Sequence, residues 1–110
     1  MAEEKAFENK IKKYLEDNGC WYVKYFANRM TKSGIPDILA SVNGYFVGIE
    51  VKATNGHPSE LQKYHQRKIR ESYAISIIVR PKQYEMLQIL INLLLSDQFE
   101  EAYQLQYRFD

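Results

Sequence analysis

Gly34-Ile35-Pro36-Asp37-Ile38-Leu39-Ala40-Ser41-Val42-Asn43-Gly44-Tyr45-Phe46-Val47-Gly48-Ile49-Glu50-Val51-Lys52 is the stretch that decides the fold. Asn-Gly between two apolar runs is the strongest short-range hairpin signal, because both residues tolerate the positive φ of a type I′ turn. A two-residue loop also fixes the register. Val42 faces Tyr45, Ser41 faces Phe46, and the same pairing carried outward sets Asp37 opposite Glu50 on one side of the sheet. Opposed side chains in an antiparallel pair have Cβ atoms about 4.5–5.5 Å apart, and like charges there are destabilising unless a cation lies between them. A divalent ion is the simplest resolution.

Lys52, two residues beyond Glu50, shares the face of the two acids by the period of a strand. The other face reads Ile38, Ala40, Val42, Tyr45, Val47, Ile49 and Val51, and that face must be core. The acids and the lysine thus form a polar cluster at the open end of a buried hairpin. Hard cations such as Mg²⁺ take carboxylate oxygens and keep several waters, while an ammonium group offsets charge or orients a water beside them. That set suits metal-assisted phosphodiester hydrolysis. Taken singly, an Asp after Pro is an ordinary turn residue and Glu-x-Lys an ordinary strand edge; the register that joins them favours the functional reading.

Pro36-Asp37 followed by Glu50-Val51-Lys52 resembles the PD-(D/E)XK nuclease signature. The wider string is similar to the VRR-NUC (virus-type replication-repair nuclease) branch: Gly34-x-Pro36-Asp37, Gly48-x-Glu50-x-Lys52, then Ser59-x-x-Gln62-x-x-His65. The likeness runs from about Ala6 to about Pro81, and Ser72-Tyr73 stands where a glycine is common. It implies a restriction-endonuclease-like α/β fold and a Mg²⁺- or Mn²⁺-dependent DNA endonuclease. Small stand-alone members of that branch are similar to Holliday-junction resolvases, which act as homodimers on branched DNA. The resemblance further implies a glutamate of the first helix near the metal, here Glu8, and a glutamine near the site, here Gln62.

The chain has 110 residues, enough for one domain with a single core, and its one cysteine, Cys20, allows neither an internal disulfide nor a zinc cluster. No apolar run approaches the roughly 20 residues of a membrane span. Met1-Ala2-Glu3-Glu4-Lys5 is too acidic and polar for a signal peptide, so the cytoplasm, of a bacterium or a phage-infected host, is the expected location. The net charge of +1 conceals a polarity: residues 1–82 carry fourteen Lys and Arg against nine Asp and Glu, residues 83–110 one against five. A basic body around paired carboxylates fits a phosphate backbone docking at a metal. Many of these lysines simply solvate helix faces.

Phe7, Ile11, Tyr14 and Leu15 give residues 4–17 the stripe of an amphipathic helix, closed by Asn18-Gly19. Glu8 shares the face of Ile11 and Leu15 and points toward the body, with an ordinary i,i+4 pair to Lys12 as its alternative role. Residues 20–26 are aromatic and β-rich, a strand on which Lys24 is either an edge gatekeeper or a phosphate contact. Arg29 and Lys32 lie in the loop before Gly34, a candidate DNA clamp. Ser59-x-x-Gln62 reads as a capping box, which gives Gln62 a competing structural job. The helix it opens presents Leu61, His65 and Ile69 inward, and Lys63, Arg67, Lys68 and Arg70 outward as backbone contacts.

Ala74–Val79 is a buried strand by length and composition, parallel to a neighbour because it follows a helix. The helix after Pro81, carrying Leu87, Ile89, Leu90, Ile91, Leu93, Leu94 and Leu95, is apolar almost all round and so has a second surface to bury. Either a second subunit covers it, the reading preferred here, or the tail folds back, where Tyr103, Leu105, Tyr107 and Phe109 alternate like a strand.

The expectation is therefore one domain over residues 1–110, ordered α-β-β-β-α-β-α, with a small mixed sheet flanked by helices. Asp37, Glu50 and the Val51 carbonyl would hold the metal, with Glu8 supporting a second ion or the outer shell. Lys52 and Gln62 complete the catalytic set, and Lys24, Arg29, Lys32, Lys63 and Arg67 contact DNA. Two rivals remain: a non-catalytic nucleic-acid-binding or assembly module on the same scaffold, and a nuclease for flaps, nicks or restriction-type targets.

Overall fold

The tight reversal at Asn43-Gly44 is present: both residues take positive φ, 53° and 85°. In the computed structural model, which describes residues 2–27 and 30–110, strands β2 (Ile38–Val42) and β3 (Tyr45–Val51) pair antiparallel, with Val42 opposite Tyr45 and Ile38 opposite Ile49. The next pair outward in that register is Asp37 with Glu50. Strand β1 (Trp21–Lys24) adds antiparallel to β2, and β4 (Ile75–Val79) adds parallel to β3, giving a mixed sheet in the order β1-β2-β3-β4.

One face of the sheet carries Ile38, Ala40, Val42, Val47, Ile49 and Val51, continued on β4 by Ile75, Ile77 and Val79. It packs against Phe7, Ile11 and Leu15 of helix α1 (Ala2–Asp17) and against Leu87, Leu90, Ile91 and Leu94 of a C-terminal helix spanning Tyr84–Leu95. Each such side chain contributes roughly 1.5–3 kcal/mol on full burial, so this layer dominates the stability of the fold. Pro81 opens a short 3₁₀ turn, Pro81–Gln83, that leads into that helix.

The opposite face is covered at β3 and β4 by helix α2 (Glu60–Glu71). Its burial departs from the expected stripe: Leu61 is half exposed and His65 and Ile69 are only partly covered, whereas Gln66 and Arg70 are buried. The reason is polar. Ser76 of β4 lies beneath α2, and its carbonyl accepts from Gln66 Nε2 at 3.5 Å and Arg70 Nε at 3.0 Å. Arg70 also donates to Gln106 and makes a bidentate pair with Asp110 at 2.8 and 3.0 Å. It is therefore not an outward DNA contact; its cationic head is buried and paired with a carboxylate, as a buried charge requires.

The tail departs too. Residues 99–109 form not a strand but a helix, Phe99–Leu105, and a 3₁₀ turn, Gln106–Phe109. The buried positions are Ala102, Gln106 and Phe109, a helical i, i+4, i+7 spacing that the aromatic alternation obscures. Gln106 then substitutes for a missing neighbour strand at β4, accepting from the Ser76 N–H at 2.8 Å and donating to the Ala74 carbonyl at 3.4 Å. With the two C-terminal helices numbered α3 (Tyr84–Leu95) and α4 (Phe99–Leu105), the expected α-β-β-β-α-β-α order stands, with α4 appended. The tail covers much of α3 and leaves Ile89 half exposed. Among the described residues no helix is long and apolar enough to cross a membrane.

Candidate active site

The motif glycines and proline act through packing. Gly34 has φ +79° and lies so close to the first turn of α2 that a Cβ there would come within 2.7 Å of Leu61 Cγ. A Cβ on Gly48 would meet Pro36 Cγ at 3.0 Å. The loop before Asp37 is thereby pressed onto β3 and α2 together, which brings Gln62 over the end of the hairpin. Backbone bonds fix both ends of the motif: Tyr25 N–H donates to the Asp37 carbonyl at 2.8 Å, and Lys52 N–H to the Val79 carbonyl at 3.0 Å.

The side chains converge on this point. Asp37 Oδ2 accepts from the Val51 N–H at 3.0 Å. Glu50 is 5 % exposed; its Oε2 accepts from Gln62 Nε2 at 3.0 Å and lies 3.5 Å from Lys52 Nζ, while its buried Oε1 has no hydrogen-bond partner. Burial pushes the Glu50 carboxyl up to about 8, and the neighbouring Asp37 carboxylate adds to the rise against the partly offsetting Lys52. Both effects disfavour the charged form.

On the α1 side, Lys24 Nζ stands between two acids, 2.8 Å from Glu8 Oε1 and 3.5 Å from Asp37 Oδ1. Glu8 Oε2 lies 2.8 Å from Lys12 Nζ, a close charge contact whose angle is poor for a hydrogen bond. The i,i+4 pair to Lys12 and the inward role of Glu8 are thus not alternatives. Burial alone would raise the Glu8 carboxyl, but Lys12 and Lys24 outweigh it and hold it below the usual carboxylate range. Burial would likewise lower the Lys24 ammonium, and Glu8 and Asp37 reverse the effect and raise it.

Asp37, Glu50, Lys52, Gln62 and Glu8 therefore gather at one end of the sheet, with the Val51 backbone beside Asp37. Glu8 reaches the others only through Lys24. The two roles open for Gln62 coexist, since its Oε1 accepts from the Ser59 N–H at 2.9 Å in the capping box while its Nε2 bonds Glu50. Lys24 is tied into the acid cluster. Lys32 is exposed, Lys63 is partly buried and pairs with Glu60 at 2.7 Å, and Arg67 lies exposed over the Tyr64 ring. Arg29 falls outside the described residues. Sequence reasoning missed Lys12 as part of the cluster and Ser59 as a neighbour of its chemistry; the i,i+4 and i,i+3 spacings were their only signals.

The donor set fits a hard divalent cation. Each acid has one oxygen anchored by an N–H, and Glu50 keeps a second, buried oxygen without a partner. Among the described residues no group of three or more carboxylate, imidazole or thiol side chains forms a metal cluster, so backbone oxygen and water would complete the coordination, as suits Mg²⁺.

No curated protein and no solved structure matches the chain. The family model of the archaeal Holliday junction resolvases matches residues 2–106, nearly the whole length. This family is a PD-(D/E)XK-like nuclease family, and the observed sheet and helices are compatible with its restriction-endonuclease-like fold. The superfamily and the resolvase likeness read from the motifs are upheld, while the virus-type branch rests on its motifs alone. By that match the chain belongs to the archaeal Holliday junction resolvase family.

Proposed function

We propose that this protein is a metal-dependent endonuclease that resolves four-way DNA junctions, acting as a single nuclease domain in a homodimer. The observation that carries it is the buried Glu50 carboxyl, with a partnerless oxygen, held against Asp37 in a chain that the resolvase family spans from residue 2 to 106. A carboxyl placed so unfavourably for folding is suited to a bound cation. Asp37, Glu50 and the Val51 carbonyl would hold Mg²⁺ or Mn²⁺, with Glu8 acting from the outer shell through Lys24. When bound, the ion supplies charge neutralisation at the scissile phosphate and a water of lowered pKa.

The chain's own groups do the rest. Gln62 holds Glu50 in place by its N–H bond. The Lys52 ammonium, 3.5 Å from Glu50, orients the attacking water and offsets the negative charge that grows at the phosphate. Lys24 is the phosphate contact nearest the acids, and Lys32, Lys63 and Arg67, together with Arg29, follow the backbone without reading bases.

One gel tests the proposal, comparing four-way, flap and linear substrates with and without Mg²⁺. Symmetric nicks confined to the junction in the presence of metal are expected. Retardation with no product anywhere would leave a binding module, and preferential flap cleavage a different nuclease. Lys52→Ala should lower the single-turnover rate about 100-fold or more, within the range for removal of one preorganised charge-stabilising group, while the Mg²⁺ concentration for half-maximal rate changes far less. A parallel loss of both would reassign Lys52 to holding the metal.

For the dimer, the residual apolar surface of α3 is the proposed contact, where Ile89, Leu93 and Leu105 line an open groove of about 500 Å³. Sedimentation at micromolar protein should give twice the 13.0 kDa chain mass, and Ile89→Glu should restore the monomer. A monomeric parent would remove the structural basis for paired cuts.

A further inference from the structure

A capping box by itself serves a helix and says nothing of chemistry. The box that opens α2 has an additional connection. Ser59 Oγ accepts from the Gln62 N–H at 3.1 Å, and Gln62 Oε1 accepts from the Ser59 N–H at 2.9 Å. An amide carries its oxygen and its NH₂ on opposite sides, so committing Oε1 to residue 59 sends Nε2 the other way. There it donates to Glu50 Oε2 at 3.0 Å. The rotation of this amide, ambiguous in isolation, is settled by having a donor on one side and a carboxylate on the other.

The consequence falls on Glu50. Its two oxygens become inequivalent: Oε2 is held by Gln62 and faces Lys52, and Oε1 is left buried and partnerless. We propose that the Ser59–Gln62 box is the positioning element of the metal site. Gln62 pins Glu50 Oε2 so that Oε1 is the oxygen offered to the cation, and Ser59 is a positioning residue that acts through Gln62. The hydroxyl keeps residue 59 in the cap conformation, φ −74° and ψ 165°, in which its own N–H meets the Gln62 amide. Ser59 touches neither the acids nor Lys52, and it is exposed, so its replacement disturbs no core packing. The inference rests on the metal-dependent reading above and names two residues that set the geometry of its ligand.

The test measures Mn²⁺ binding to the full chain by electron paramagnetic resonance, well below the melting temperature, for the parent, Gln62→Ala, Ser59→Ala and Ser59→Thr. Partners that orient metal ligands change affinity by about 10–100-fold when removed, and that is the loss expected for Gln62→Ala. Ser59→Ala should lose affinity in the same direction by less, and Ser59→Thr, which keeps the hydroxyl, should restore it. Junction binding in EDTA should be the same for the parent, Ser59→Ala and Ser59→Thr. A cap that serves only the helix predicts lower melting temperatures for Gln62→Ala and Ser59→Ala but parental Mn²⁺ affinity in all three variants, and that result overturns the proposal. Loss in Gln62→Ala with parental affinity in Ser59→Ala overturns the role of Ser59. A parent that binds no Mn²⁺ removes the metal reading itself, a failure distinct from either.

Discussion

Asp37→Asn is expected to abolish junction cleavage while leaving junction binding in EDTA unchanged or tighter. Asn retains a side-chain oxygen in the place of Asp37 Oδ2, so the 3.0 Å bond from the Val51 N–H and the end of the strand pairing persist. What disappears is one of two adjacent negative charges. Metal-ion stabilisation of a phosphoryl transition state is worth several kcal/mol, which at 1.36 kcal/mol per tenfold corresponds to a loss of about 1,000-fold or more. DNA carries a dense negative charge, and removing a carboxylate from the surface it approaches cannot weaken that attraction. Single-turnover cleavage and gel retardation on the same four-way junction check both halves. Cleavage by the variant at the parental rate would rule out Asp37 as a metal ligand.

Glu50→Gln should stabilise the metal-free protein, most of all at alkaline pH. The folded-state pKa of Glu50, about 8, lies above the ordinary glutamate value of 4.5. Folding therefore loses no stability to this group below about pH 4.5, loses it progressively as the pH rises through the interval, and carries the full penalty above about 8. The gap between those two values corresponds to about 3–5 kcal/mol, a large share of a small domain's stability. Gln cannot ionise, and its amide can fill the same volume and donate toward Asp37. In EDTA the melting temperatures of parent and variant should nearly coincide at pH 4.5 and diverge by about 10 °C or more at pH 9, at about 4 °C per kcal/mol for a domain of this size. Mg²⁺ should raise the parent's melting temperature and leave the variant's unmoved, because a ligand stabilises only the state that binds it. A variant less stable than the parent at pH 9 without metal would show that the carboxylate is not strained in its burial.

The two substitutions act on one arrangement from opposite sides. Asp37 is the second-largest cause of the raised Glu50 pKa, after burial, so Asp37→Asn should itself recover part of the alkaline stability gained by Glu50→Gln. Their effects will not add, as expected for groups in contact.

The sequence alone determined whatever short-range torsion and periodicity dictate. Asn43-Gly44 can supply two consecutive positive φ values at little strain, so the turn, the register and the pairing of residues 37 and 50 follow within fourteen positions of chain. The stripe of Phe7, Ile11 and Leu15 and the β-branched run at Ile75–Val79 are legible for the same reason. Only the tertiary structure decided what each polar group meets after desolvation. Lys24 is 16 residues from Glu8 and 13 from Asp37, and only the packing of α1 along the end of β1 sets its ammonium between them. Arg70 read as an outward residue until the unpaired edge of β4 drew it inward together with Gln106. The partnerless oxygen of Glu50 belongs to the same class. A pattern of residues can say that two acids adjoin, but how much water they lose depends on elements far away in the chain, and that loss is what lifts the Glu50 carboxyl above its ordinary range.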